Sequence, residues 1–287
     1  MIQGVMMLLA VFTLTMGGPA WAADLDGTLK KIKGSNTIRL GYREASRPFS
    51  FTGDDGKPAG YSVDLCTLVA ASIAKELAIP NLQTSWVKVS VANRMDEVAK
   101  GTIDMECGST TASLSRQEQV DFSIMTFIDG GSLLVTDAGG VKDVASLGGK
   151  RVAVIPGTTT EKSLAEAMRK TAVTATVVPV KDHDGGVAAL DGGTADAYAS
   201  DRIILVGIGR TSKNPEKLSL VDEYFSYEPY GLMLRRNDSA FRLSVNRALA
   251  RLYRSGDVVP LVSKWFGSMG KPGQLLGAMY LINALPE

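Results

Sequence analysis

One stretch of the sequence, residues 104–116, combines residue types that bind anions. It reads Asp-Met-Glu-Cys-Gly-Ser-Thr-Thr-Ala-Ser-Leu-Ser-Arg, which predicts a short buried strand, a hydroxyl-rich turn and the first turn of a helix. The turn offers backbone N–H groups and the hydroxyls of Ser109, Thr110 and Thr111. Arg116 adds a planar guanidinium that grips a carboxylate through two parallel hydrogen bonds. On its own, the stretch fits a phosphate, a sulfate or a carboxylate.

Six further polar residues come at or shortly after the ends of predicted strands. Those strands are expected at residues 37–42, 87–89, 151–155, 176–180 and 195–199. Ligands of parallel α/β sheets lie beyond the carboxyl ends of the strands, so the side chains placed there are candidate site residues. They are Arg43, Arg94, Thr158, Thr159, His183 and Asp201.

The elements that must position these side chains alternate along the chain. Strands and helices follow one another up to the anion-binding turn, which predicts a parallel sheet with crossover helices. A second series begins with a strand at residues 132–136 and predicts a second α/β unit. Residues 231–234 then form a predicted strand that returns toward the first unit. The fold class is therefore α/β, with the candidate residues divided between two units.

Some of these residues also have structural interpretations. Arg43 can pair with Glu44, Asp201 can cap the helix that follows it, and His183 can be a solvated loop residue. Three aromatic residues are expected either to line a pocket or to pack in the core: Phe49, Phe51 and Tyr61.

The composition is that of a globular protein and gives no support to nucleic-acid binding. The chain has 287 residues, of which 45% are hydrophobic and 21% charged. Its 31 basic and 30 acidic residues leave a formal net charge of +1. They form no blocks of one sign, so long-range charge does not select the partner.

The first 22 residues predict export. They hold no charged residue, contain an apolar run at residues 5–12 and end in Ala20-Trp21-Ala22, an A-x-A cleavage pattern. The expected product is a periplasmic protein whose signal peptide, residues 1–22, is cleaved near Ala22. No Lys or Arg precedes the apolar run, so a misplaced start or an uncleaved anchor is the alternative.

Cysteine usage fits an oxidising compartment. The chain has two cysteines, Cys66 and Cys107, and an even count in an exported protein favours a disulfide between them. Two buried free thiols are the alternative, because free cysteine packs as a small hydrophobic residue.

The order of the motifs resembles the periplasmic amino-acid-binding proteins of ABC transporters, solute-binding protein family 3, and most closely their glutamate/aspartate-binding group. The motifs that carry the resemblance are Gly60-Tyr61, Asn93-Arg94, Gly101-Thr102-Ile103-Asp104, Glu106-Cys107-Gly108-Ser109-Thr110-Thr111, Arg116-Gln117, Gly157-Thr158-Thr159, Lys181-Asp182-His183 and Lys264-Trp265-Phe266. The resemblance implies a type II periplasmic-binding-protein fold, with two lobes, two hinge strands and the ligand in the cleft. Lobe one is then expected at residues 23–127 and 229–287, and lobe two at 128–228.

The resemblance also implies a role for each candidate residue. The Ser109-Thr110-Thr111 turn, Arg116 and the Thr158-Thr159 turn would hold the α-carboxylate of an amino acid, and Asp201 its α-ammonium group. A second carboxylate needs further cationic groups, and Arg43, Arg94 and His183 stand at matching positions. The expected ligand is L-glutamate or L-aspartate, and the expected partner is an inner-membrane ABC transporter permease. The protein is expected to be a monomer without metal or cofactor.

Two alternatives stay open at this level. Val91 stands where the acidic-ligand group commonly has a hydroxyl, which leaves glutamine or another polar amino acid as a possible ligand. Exported dehydratases of the cyclohexadienyl or arogenate type share the fold, so a periplasmic enzyme is the second alternative. The spacing of Ser109, His183 and Asp201 does not indicate a nucleophile with its base. The sequence has no glycine-rich phosphate motif and no cluster of metal ligands.

Overall fold

The computed structural model describes residues 25–269 and 273–286. The expected signal peptide and its cleavage near Ala22 lie outside these residues. Within the described part of the chain, no helix combines the length and the apolar composition needed to cross a membrane.

Helices and strands alternate through most of the chain, and the exceptions include three consecutive short strands at residues 45–59 and three consecutive helices after residue 238. The helices are α1 (Gly27–Ser35), α2 (Tyr61–Glu76), α3 (Arg94–Ala99), α4 (Leu114–Gln117), α5 (Thr159–Lys170), α6 (His183–Asp191), α7 (Arg202–Gly209), α8 (Ser239–Ser255), α9 (Val258–Phe266) and α10 (Gln274–Asn283). The strands are β1 (Thr37–Arg43), β2 (Ala45–Ser46), β3 (Ser50–Thr52), β4 (Pro58–Ala59), β5 (Gln83–Val89), β6 (Met105–Glu106), β7 (Val120–Asp129), β8 (Gly131–Thr136), β9 (Arg151–Val154), β10 (Thr176–Pro179), β11 (Ala197–Asp201), β12 (Leu218–Leu220) and β13 (Glu228–Arg235).

Two five-stranded sheets form the framework, which confirms the α/β fold class. The first has the order β5-β1-β6-β13-β7, and the second has the order β10-β9-β11-β8-β12. In the first sheet, β1 is parallel to β5 and β6, whereas the returning strand β13 is antiparallel to β6 and β7. The predicted parallel sheet is therefore mixed, because a strand that re-enters from the second sheet runs in the opposite direction.

The two sheets are joined by two neighbouring segments. Strand β7 ends at Asp129 and continues through Gly130 into β8 of the second sheet, while β13 begins at Glu228, which pairs with Asp129. A Cβ at Gly130 would come within 2.6 Å of the Ser226 carbonyl oxygen, so only glycine permits this close approach. The crossing therefore places Glu228 and Asp129 side by side between the sheets.

The aromatic residues near the crossing belong to the core. Phe49 packs edge-on against Phe127, with ring centroids 4.9 Å apart, and also contacts Tyr61 and Phe266. Phe51 lies edge-on against Trp265. The core interpretation of Phe49, Phe51 and Tyr61 is therefore confirmed over the pocket interpretation.

The predicted disulfide is present. Cys66 in α2 and Cys107, directly after β6, are bonded, with their Cα atoms 6.1 Å apart. The bond ties the start of the anion-binding turn to the helix that covers the sheet. The Ser62 hydroxyl of the same helix donates to the Gly108 carbonyl oxygen at 2.8 Å.

Candidate functional site

The candidate residues meet in one small cavity, about 30 Å³ in volume, at the carboxyl ends of strands from both sheets. Nine of the ten predicted residues line it, and four others join them. The lining is Arg43, Val91, Arg94, Ser109, Thr111, Arg116, Thr158, Thr159, Thr160, His183, Ser200, Asp201 and Ile204. Thr110 is the exception, because its fully buried side chain turns away and donates to Glu106 Oε2 at 2.9 Å.

Residues from the first sheet reach the cavity by local geometry that the sequence encodes. Arg43 is the last residue of β1, and Arg94 is the first residue of α3. Arg116 lies in α4, whose N-cap Ser113 accepts the Arg116 N–H at 3.3 Å. The Arg116 Nη1 group donates to the Thr111 carbonyl oxygen at 2.9 Å, which holds the guanidinium over the turn.

Residues from the second sheet are positioned in the same way. Thr158 is the N-cap of α5 and accepts the Glu161 N–H at 3.0 Å. His183 begins α6, where the Asp182 side chain accepts the Gly185 N–H. Asp201 is the last residue of β11. The first N–H groups of α5 have no carbonyl partner inside the helix, and of these the Glu161 N–H is taken by Thr158.

Three buried guanidinium groups give the cavity its positive side. Arg43 and Arg94 are each 4% exposed and Arg116 is 8% exposed. Within the described residues, no carboxylate oxygen lies within 4.0 Å of any of these three guanidinium groups. The Nε of Arg94 is buried without a hydrogen-bond partner. Such groups are costly to bury, and an anion in the cavity would offset that cost.

Burial is the main cause that lowers the pKa values of these arginines. Burial, and then the Arg94 charge, lower the pKa of Arg43 to about 9 and that of Arg116 to about 10. Burial likewise lowers the pKa of Arg94, against the opposing charges of Glu106 and Asp201. Arg43 and Arg116 therefore stay protonated at neutral pH. The alternative pairing of Arg43 with Glu44 does not occur, because Glu44 pairs with Lys88 at 2.8 Å.

Asp201 faces the arginines from the second sheet. Its carboxylate accepts the Thr160 hydroxyl at 2.8 Å and, through a short hydrogen bond, the Tyr230 hydroxyl. Burial, and then the Glu228 charge, raise the pKa of Asp201 to about 6. Although Asp201 stands at the N-cap position of α7, its side chain makes no cap bond there. Asp129 takes that role by accepting the Ile203 N–H at 2.9 Å.

His183 contributes a neutral ring. Its Nδ1 lies 2.7 Å from the Tyr198 hydroxyl oxygen, and the side chain is buried rather than solvated. Burial, and then the charges of Arg43 and Arg94, lower the pKa of His183 to about 3. The sequence predicts His183 as a third cationic group beside these two arginines. In the structure the imidazole is neutral at neutral pH, so it offers a hydrogen bond and no charge.

The threonine hydroxyl hydrogens are directed toward protein acceptors. Thr111 and Thr159 both donate to Glu228 Oε2, at 2.5 and 2.7 Å, and Thr158 donates to the Ile155 carbonyl oxygen at 2.8 Å. The sequence predicts that these hydroxyls donate to an anion in the cavity. In the structure their hydrogens are directed at protein acceptors instead. A carboxylate there would bind backbone N–H groups, Arg116 and Ser109.

Sequence reasoning missed the residues that hold the lining side chains. Glu228, Tyr198 and Tyr230 are buried behind the cavity and bond to lining residues, while the buried Glu106 holds Thr110 of the adjacent turn. Glu106 carried a signal, because a glutamate between Met105 and Cys107 in a buried strand needs a partner. The other three lie on β11 and β13, whose pairing the sequence alone did not specify.

The arrangement is suited to binding a small zwitterion with additional negative charge. Ser109, His183 and Asp201 form no nucleophilic relay, because His183 bonds to Tyr198 and Asp201 bonds to Thr160 and Tyr230. No group of three or more His, Cys, Asp or Glu side chains suited to a metal ion occurs within residues 25–269 and 273–286.

Comparisons with known proteins point in the same direction. Residues 38–268 match the bacterial extracellular solute-binding proteins, family 3. An L-glutamate/L-aspartate-binding protein of Pseudomonas aeruginosa is 39% identical over 258 residues, which cover 90% of this chain and 85% of that protein. A glutamate/aspartate import solute-binding protein of Escherichia coli is 34% identical over 248 residues, 86% of this chain and 82% of that protein. The structure of an ancestral amino-acid-binding protein, a precursor of cyclohexadienyl dehydratase, superimposes with a TM-score of 0.72 at 26% identity, covering 84% of this chain and 100% of that one.

Proposed function

The chain belongs to family 3 of the bacterial extracellular solute-binding proteins, and on that premise we propose that it captures L-glutamate or L-aspartate and delivers it to an ABC transporter permease. The observation that carries the proposal is the convergence of three buried guanidinium groups, none with a carboxylate within 4.0 Å among the described residues, on a cavity with one lining carboxylate. An acidic amino acid supplies two carboxylates and one ammonium group. Its two carboxylates would lie among the three guanidinium groups and its ammonium group beside Asp201, so each charge of the ligand would meet an opposite charge of the protein.

The electrostatic neighbours of each group favour one orientation of the ligand. Burial and then the Arg94 charge lower the pKa of Arg116, against the opposing charges of Glu228 and Asp201, whereas burial and then the charges of Arg43 and Arg94 lower the pKa of His183. Arg116 and Asp201 thus mark one end of the cavity, and Arg43 and His183 mark the other. We assign the α-carboxylate to Arg116, the α-ammonium to Asp201 and the side-chain carboxylate to Arg43 and His183, with Arg94 between them.

Closure of two lobes about the crossing at Asp129 and Glu228 is the proposed capture step, with lobe one at residues 23–127 and 229–287 and lobe two at 128–228. Hydrogen bonds between the two proposed lobes support a closed arrangement. Tyr230 donates to Asp201, and Arg210 Nη2 donates to the Ser268 carbonyl oxygen at 2.9 Å. A ligand that contacts both sides stabilises the closed form because it binds that form more tightly. The protein would act as a periplasmic monomer.

Glutamine is the second candidate ligand, and Val91 is the observation that favours it. This apolar side chain lines the cavity among the polar groups, so one hydrogen bond to a side-chain carboxylate is missing. The three arginines outweigh that loss, because a neutral amide leaves the cations at its end of the cavity without a counter-charge. We propose no catalytic function, since His183 and Asp201 are both engaged by neighbouring side chains.

Titration calorimetry of the purified protein with the twenty amino acids tests the proposed function. We expect saturable binding of glutamate, aspartate or both, and glutamine at least tenfold weaker, because each unpaired buried charge costs several kcal/mol. Binding restricted to neutral or basic amino acids would overturn the ligand assignment.

The affinity for glutamate is expected to fall in acid. The pKa of Asp201 in the ligand-free protein is raised to about 6 by burial and Glu228, and an adjacent ammonium group favours its ionised form. Protons therefore compete with the ligand as the pH falls through this value. The association constant should be flat from pH 8 to about pH 6 and then decrease by up to about tenfold per pH unit. Free glutamate keeps both carboxylates ionised down to about pH 5.

Asp201→Asn is the control for this pH dependence. The variant should bind glutamate more weakly at every pH, and its affinity should show no slope between pH 5 and 6. An association constant of the parent protein that stays constant from pH 8 to pH 5 would contradict the assignment of the ammonium group to Asp201.

A further inference from the structure

Glu228 lies behind the cavity at the point where the two sheets are joined. It is the first residue of β13, it pairs in register with Asp129, and its side chain is 1% exposed. It does not line the cavity. Its position nevertheless brings its carboxylate against cavity residues from both sides.

The Glu228 carboxylate accepts three hydroxyl groups. Thr111, which follows β6 of the first sheet, donates to Oε2 at 2.5 Å, and Thr159, at the start of α5 of the second unit, donates to the same oxygen at 2.7 Å. Ser226 donates to Oε1 at 2.6 Å. A single oxygen atom thus connects one lining residue from each side.

These bonds fix the direction in which both hydroxyls can act. A threonine hydroxyl has one hydrogen and two lone pairs, so a hydrogen directed at Glu228 leaves only lone pairs toward the cavity. The 3.3 Å distance between the Thr159 and Thr111 oxygens is longer than either bond to Glu228, which favours the carboxylate as the acceptor of both hydrogens. The Thr111 and Thr159 hydroxyls and the Asp201 carboxylate thus form a group of acceptors, which we call the acceptor corner of the cavity.

We propose that Glu228 is a positioning residue that makes the Thr111 and Thr159 hydroxyls acceptors for the α-ammonium group of the ligand. The inference rests on the proposed function. It adds that a residue outside the cavity directs these two hydroxyls to accept hydrogen bonds from an ammonium group instead of donating to a carboxylate. Because Thr159 reaches Glu228 from the opposite side of the cleft, the acceptor corner is complete only when the two sides are together.

Glu228→Gln tests the proposal. The amide nitrogen donates to the threonine oxygens and turns their hydrogens toward the cavity. Calorimetry should show glutamate binding about tenfold weaker, the size expected when a charge-assisted hydrogen bond is lost. Glutarate has both carboxylates but no ammonium group. Its dissociation constant, measured by competition, should change less than about twofold.

Two further variants separate positioning from folding. Thr159→Val removes the hydroxyl from the second side while keeping the shape of the residue. It should weaken glutamate but not glutarate, and combining it with Glu228→Gln should add little to either change alone. Ser226→Ala removes the third hydrogen bond of the same carboxylate. Ser226 donates to Oε1, whereas Thr111 and Thr159 donate to Oε2. Both ligands should therefore bind to Ser226→Ala as they do to the parent.

The outcomes distinguish this inference from the proposed function. If the parent protein binds no acidic amino acid, the proposed function fails and the role of Glu228 fails with it. If the parent binds glutamate but Glu228→Gln weakens glutamate and glutarate equally, Glu228 is only structural. Unchanged binding of both ligands by Glu228→Gln and by Thr159→Val would also overturn the role of Glu228 and leave the proposed function intact.

Discussion

Replacing Arg116 by alanine is expected to weaken binding of every α-amino acid by about 100-fold or more. Its guanidinium is buried, has no carboxylate within 4.0 Å among the described residues, and is held over the turn by its bond to the Thr111 carbonyl oxygen. The variant leaves the α-carboxylate in the closed cavity without its cationic partner, which typically costs about 3–5 kcal/mol. Calorimetry with glutamate, aspartate and glutamine should show the same factor for all three, because each carries the same α-carboxylate.

Two variants control this result. Arg116→Lys keeps the charge but loses the planar fork, so it should fall between the parent and Arg116→Ala. Arg169→Ala removes an exposed arginine from the last turn of α5 and should bind as the parent does. If Arg116→Ala binds glutamate with the parent's affinity while remaining folded, Arg116 does not hold the ligand.

Replacing Arg43 by methionine is expected to separate acidic ligands from glutamine. Arg43 lies at the His183 end of the cavity, and burial lowers its pKa to about 9, so its charge has little solvent to stabilise it. Glutamate and aspartate should lose about 100-fold in affinity, because their side-chain carboxylate loses its nearest cation. Glutamine should lose less than about tenfold, because its neutral amide makes hydrogen bonds without a charge pair.

The fold must survive this change for the comparison to hold. Methionine keeps most of the volume of the arginine stem, so the unfolding temperature of the ligand-free variant should stay within about 4 °C of the parent, or roughly 1 kcal/mol. Arg39→Met is the matched control, since Arg39 is an exposed residue of the same strand. Equal loss for glutamate and glutamine in Arg43→Met would show that Arg43 does not read the side chain of the ligand.

The site residues could be predicted from the sequence where their position depends only on a short segment of the chain. Arg43, Thr158, Thr159, His183 and Asp201 stand at or near strand ends, and the apolar runs before them are visible in the chain. Because parallel strands direct their carboxyl ends toward one edge, residues at those ends meet without any knowledge of packing. The roles assigned to them came from resemblance to a family, and those roles stay predictions.

Charge state depends on groups that the linear chain does not bring together. His183 is neutral because burial and two arginines, Arg43 and Arg94, act on it, and neither arginine is near it in sequence. Asp201 is not the cap of α7, because Asp129 reaches that helix from the crossing. In both cases the residue type gave the chemical options, and the tertiary neighbours selected among them.

The sequence by itself predicted the α/β class, the disulfide and nine of the thirteen residues that line the cavity, because strand periodicity, cysteine count and strand ends are properties of short segments. Only the tertiary structure decided which way each hydroxyl points. Thr111 and Glu228 are 117 residues apart in sequence, yet they form a 2.5 Å hydrogen bond. The sequence predicts that the Thr111 hydroxyl donates to a carboxylate of the ligand, but this bond leaves it as an acceptor toward the cavity. A hydroxyl can donate or accept equally well, so its direction is set by whichever partner the fold places beside it.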